Sequence, residues 1–142
     1  MLTKDTGQTL TPSGSHFISW GTTPLRSIGS WSVTWNSAPY YITVPENGIW
    51  SISADVWFAA GTLGDRTGYL VVSSYSGREI GKTNIKTATV FGCCIAAQLP
   101  LSAGDTVQVG VYFDGAASMV VGGANGYEKM EFMMTRIGNY TP

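Results

Sequence analysis

Two phrases constrain the fold of this chain more than any figure of composition: Thr43-Val44-Pro45-Glu46-Asn47-Gly48-Ile49-Trp50 and Leu99-Pro100-Leu101-Ser102-Ala103-Gly104-Asp105-Thr106-Val107. In each, an extended run meets a proline, passes through glycine with Asn or Asp, and opens a second alternating run. Proline lacks a ladder donor, and glycine and Asx residues make tight reversals, so each phrase reads as strand, turn, strand. Similar punctuation recurs along the chain. It predicts strands over residues 15–21, 25–35, 39–44, 48–59, 67–75, 85–99, 105–114, 117–122 and 128–137, and no window carries a capped helical stripe. About nine short strands without helices predict an all-β, antiparallel sandwich or barrel. Residues 1–14 lack periodicity and read as an N-terminal arm, leaving 15–142 as a single domain.

Alternation also assigns faces. Trp50, Ile52, Ala54, Val56 and Phe58 share one side of their strand, as do Val107, Val109, Val111 and Phe113, and Met130, Phe132 and Met134. These sets are the expected core. The opposite sides mix small or polar residues with one large apolar or aromatic residue each: Trp57, Tyr112 and Met133. If the three strands are neighbours in one sheet, that second face is half apolar, as where subunits meet. Trp57, Tyr112 and Met133 are therefore the candidate oligomer contacts. Composition agrees: only 12% of residues are charged, about half the usual share, which points to a surface partly covered by identical neighbours.

The same two phrases, in this order, resemble those of the globular head of complement C1q and its tumour-necrosis-factor-like relatives. A pattern V-P-x-x-G-x-Y-x-F is matched by Val44, Pro45 and Gly48, with Trp50 and Ile52 in the aromatic places. A later L-x-L-x-x-G-D-x-V-x-V is matched by Leu99, Leu101, Gly104, Asp105, Val107 and Val109. The resemblance covers nearly everything after residue 14 and implies a compact jelly roll that forms trimers. The ending, Phe132-Met133-Met134-Thr135-Arg136-Ile137-Gly138, departs from the animal pattern and looks more like the versions in bacteriophage structural proteins. No collagen repeat stands upstream.

Residue chemistry gives little foothold for catalysis. His16 is the single histidine, so a multi-histidine metal centre is excluded, and no phosphate-cradling loop or nucleophile elbow is present. Glu128 and Glu131 fall on opposite faces of a strand and form no pair. Gly122-Gly123-Ala124-Asn125-Gly126 reads as a hairpin loop. The adjacent Cys93 and Cys94 point to opposite faces and are expected as free thiols. Asn139-Tyr140-Thr141 matches a glycosylation acceptor and reads as a chance match. No cofactor is expected. The calcium that related heads bind near a trimer axis would, by that resemblance, fall to Asp55 or Asp114.

Net charge is −1 with scattered basic residues, which excludes an electrostatic footprint for nucleic acid. No apolar run has the length of a signal peptide or a membrane span. The expectation is a non-enzymatic phage virion protein, folded in the host cytoplasm and assembled on the particle surface. It would be a trimeric knob serving as capsid decoration or head fibre, its partners being its own copies and capsid or tail proteins. The alternative is a tail-tip domain that contacts a host surface glycan or protein through loops 59–67, 76–84 and 116–126.

Overall fold

The computed structural model describes residues 1–4, 6–12, 14–20, 34–36, 40–76, 78–122 and 129–142. Most of the predicted strand 25–35, with Trp31, lies outside these residues, as do Glu128 and most of the glycine-rich loop. The described residues form twelve strands and one 3-10 turn, Ser73–Tyr75, with no α-helix.

Two six-stranded antiparallel sheets face each other. The first contains β1 (Leu2–Lys4), β2 (Gln8–Leu10), β6 (Gly48–Phe58), β9 (Phe91–Leu101), β11 (Met119–Val121) and β12 (Met130–Gly138). Within it, β6 is central, flanked by β9 along its whole length and by β12 and then β1 on the other side. The second sheet contains β3 (Gly14–Phe17), β4 (Thr34–Asn36), β5 (Tyr41–Thr43), β7 (Gly64–Val72), β8 (Glu79–Thr87) and β10 (Thr106–Phe113). Here β10 is central, with β7 then β8 to one side and β3 and β5 end to end on the other.

The predicted inward sets fill the space between the sheets. Ile52, Val56, Phe58, Val107, Val109, Val111, Phe113, Met130 and Phe132 are all within 1% of full burial. Burying such side chains contributes roughly 1.5–3 kcal/mol each, and this burial is the main force holding the sheets together. The two diagnostic phrases bind each other at one end of the sandwich. Val44 N–H donates to Asp105 O at 2.8 Å, Gly104 N–H to Val44 O at 2.9 Å, and Ala103 N–H to Asn47 Oδ1 at 2.8 Å. The Asp105 carboxylate closes its own turn by accepting from Ser102 N–H and ties in the 3-10 turn through the Ser74 hydroxyl, both at 2.9 Å.

Residues 1–14 differ from the free arm that their sequence predicts. Leu2 and Leu10 enter the core at 1% and 2% exposure, and β1 pairs with β12 while β2 pairs with β11. Polar residues fasten the segment further. Lys4 Nζ donates to Ser19 O at 2.6 Å, and Gln8 both accepts from Ser19 and donates to Phe17 O at 3.0 Å. Two apolar residues separated by polar ones give no readable period, although each has a core site to fill.

The predicted strand 85–99 is two strands that reverse at residues 88–90. Thus most of the predicted loop 76–84 belongs to β8, and 64–67 belong to β7 rather than to a loop. Gly81 permits this. It has φ +62°, and a Cβ there would come within 2.7 Å of Ala96 O, so only glycine lets β8 lie against β9 and close that side of the sandwich.

Candidate functional site

The site is the outer face of the first sheet, and the register of β9, β6 and β12 lays it out as a grid. Trp57 stands beside Gly92; in the next row Asp55 lies between Cys94 and Glu131; then Ser53 lies between Ala96 and Met133; then Ser51 between Gln98 and Thr135. Trp57 thus stands in the end row and Met133 on the β12 margin, with the small Ser51, Ser53 and Ala96 between the strands' larger residues. Trp57 (36% exposed) and Met133 (40%) are on this face, with Ile49 (37%) at its far end. A Cβ on Gly92 would lie 3.0 Å from three atoms of the Trp57 indole, so that residue leaves room for the ring to lie against β9.

Asp55, Trp57, Gly92, Cys93, Cys94, Lys129 and Glu131 line a shallow pocket of about 310 Å³. Asp55 and Glu131 are directly opposite in register, an arrangement that like charges disfavour. The Cys94 thiol is held above its ordinary pKa by partial desolvation and then by its hydrogen bond to Asp55. Cys93, on the inner side of β9, is pushed up to about 12 by burial, then by Cys94 and Asp55. Both cysteines are free, one buried and one exposed, as strand alternation requires.

The three predicted contact residues are not all brought together. Trp57 and Met133 share this face, whereas Tyr112 is on β10, opposite Thr67 and Ser15 on the outer side of the second sheet. Alternation assigns a residue to a face of its strand but does not name the strand's neighbours, and β10 belongs to the other sheet. Of the two alternative calcium candidates, Asp55 is on this face and Asp114 is not. Asp114 Oδ1 accepts from Asp65 N–H at 2.6 Å and fastens β10 to β7. Among the described residues no group of three His, Cys, Asp or Glu is placed to hold a metal. His16 stacks on Phe113 with ring centroids 5.8 Å apart, a packing position.

Sequence reading missed Glu131, Cys94 and Lys129 as neighbours of Asp55. The outward-facing positions of β6, β9 and β12 carry that signal, but it becomes legible only when the pairing order is known. It also missed Arg66, whose side chain points inward from β7 and is fully buried.

No family model matches the chain, and no curated protein matches it in sequence. Among solved structures the chain is similar to the Eiger tumour necrosis factor of S. frugiperda, with a TM-score of 0.71 at 11% identity over 96% of this chain and 88% of that one. At that identity the likeness concerns the fold, and it agrees with the strand order described above: the chain folds as an antiparallel jelly-roll sandwich of the tumour-necrosis-factor type.

Proposed function

We propose that this chain is a non-catalytic assembly module that forms a homotrimer through the outer face of the β9–β6–β12 sheet and serves as a surface knob of a phage particle. The observation that carries the trimer is the composition of that face. Its centre is Ser51, Ser53 and Ala96, flat and small, while Trp57 in the end row and Met133 on β12 beside Ser53 stand exposed at its margins. Small central residues let another copy approach closely, and large apolar ones contribute most of the burial energy once covered. A cyclic trimer joins two different surfaces of the same chain. Tyr112, on the opposite sheet, can therefore meet the Trp57 face only from a neighbouring subunit. The sequence adds support for the particle in its scarcity of charge and in the terminal Thr135-Arg136-Ile137 strand.

A tail-tip reading has one observation in its favour. Leu63 (64% exposed) and Val90 (47%) stand on the β6–β7 and β8–β9 connections, which are joined by the Gly61 N–H to Ala88 O bond at 3.0 Å.

The test is the solution mass of the chain beside that of a Trp57→Asp/Met133→Asp variant, together with mass-spectrometric location of the protein on purified particles. A trimer in the wild type and a folded monomer in the variant support the interface. A variant that remains trimeric removes it, and absence from every particle fraction removes the virion role.

A further inference from the structure

The pocket on the outer face of the first sheet is one cation short of neutral. Asp55 and Glu131 face each other across β6 and β12, and Lys129 is the basic residue among those that line the pocket. Among the described residues none of the three forms an ion pair, and Asp55 accepts a hydrogen bond from the Cys94 thiol. Two carboxylates against one ammonium leave one negative charge. Open to water, that imbalance is well tolerated. Covered by another copy, it would hold a carboxylate without a counter-charge away from solvent, which is strongly disfavoured. The contact is therefore complete only if the neighbouring copy brings a cation.

The chain has few to bring. Of its eight basic residues, Lys4 and Arg66 are buried, Arg136 is paired with Glu46, and Lys82 with Glu79. Lys129 is already in the pocket, and Arg26 lies outside the described residues. Arg78 and Lys86 remain, both exposed. Lys86 is two positions along β8 from Asn84, whose Nδ2 donates to Thr67 Oγ1 at 2.8 Å. Thr67 stands opposite both Asn84 and Tyr112, so Lys86 shares the outer side of the second sheet with that tyrosine. From there its ammonium cannot reach the pocket of its own chain, which opens on the other side of the sandwich. Asp65 is opposite Lys86 in register, but no ion pair joins them.

The surroundings favour Lys86 over Arg78. Next to it, Ile85 is 39% exposed, so this stretch of β8 presents an apolar residue beside a cation, where the pocket presents Trp57 beside carboxylates. Arg78 stands between Gly77 and Glu79 in the chain and offers no such pairing. We infer that Lys86 of one copy enters the Asp55–Glu131 pocket of the next and supplies the missing cation. The inference rests on the trimer reading and adds to it the second surface that a cyclic assembly needs, the outer side of β8.

The test is charge reversal read by solution mass over a dilution series of the full chain: Lys86→Glu, Glu131→Lys, the two together, and Arg78→Glu, beside the wild type. The wild type by itself tests the underlying reading, since a monomer at every concentration removes the trimer and this contact with it. With a trimeric wild type, either single reversal should raise the concentration at which the assembly dissociates by about tenfold or more. The double reversal places glutamate opposite lysine again and should return that concentration to within about threefold of the wild type. Arg78→Glu makes the same change in net charge and should leave it where it was. A wild-type trimer that Lys86→Glu does not weaken would overturn the contact, as would equal weakening by Arg78→Glu or a double reversal that restores nothing. A trimer that dissociates in EDTA while Lys86→Glu behaves as the wild type would give the pocket to a divalent cation instead and overturn it too.

Discussion

At the scale of single residues, the glycine at position 110 shows how a gap in a strand pattern acts. Gly110 interrupts a run of valines on β10, and by sequence alone it looks like a weak point, since glycine in a strand interior sacrifices packing and entropy. In the structure it faces outward opposite Tyr69, whose ring lies across it; a Cβ at 110 would overlap ring atoms of that tyrosine. Tyr69 is thereby 3% exposed on an outer sheet face, and burial raises its pKa despite the side-chain hydrogen bond with Ser15. Gly110→Ala is expected to destabilise the fold by about 1–3 kcal/mol, the usual range for overpacking. In a Tyr69→Ala background the same change should cost little. A denaturant double-mutant cycle measures this, and additive costs would show that ring and glycine act separately.

Among elements, legibility followed polarity contrast. Strands β6, β10 and β12 alternate cleanly because one side faces the core, and their inward residues are identifiable without coordinates. β8 was hidden. Its sequence, EIGKTNIKT, is polar on both faces because it is an outer strand paired only with β7 and largely exposed, and the reversal before β9 uses Ala88, Thr89 and Val90, which carry no turn signal. β1 and β2 were hidden for a different reason: three residues are too few to show a period. Their contribution is still structural, because Leu2 seals the β12 edge of the core. Leu2→Ala should lower stability by about 2 kcal/mol, at the low end for a buried leucine because a terminal strand relaxes around the loss. Removal of residues 1–4 should cost more, since Lys4 and its bonds to Ser19 are lost as well. Chemical denaturation would check both, and an unchanged midpoint would mean that β1 contributes nothing to the folded core.

For the whole molecule, the face that carries Trp57 and Met133 offers a readout of assembly that needs no mutation of the apolar residues. Cys94 lies on the β9 side of that face beside Asp55, exposed in the single chain, while Cys93 is buried behind it. Thiol reagents attack the thiolate, and both thiols are held above their ordinary pKa, Cys93 being pushed up to about 12, so labelling calls for alkaline conditions. If three copies cover the face, neither cysteine should react in the assembled protein. On dilution below the assembly concentration Cys94 alone should become reactive, and Cys93 should follow only on unfolding. Because a reagent must reach the sulfur, protection of a residue that is open in the monomer reports the partner directly, separating true coverage from a face that merely tolerates exposed tryptophan. Alkylation followed by peptide mass analysis gives the site and rate for each thiol. A Cys94 that reacts equally fast at every protein concentration would mean that this sheet faces solvent, and the trimer contact would have to be sought on the other outer face, where Tyr112 and Phe17 stand on neighbouring strands.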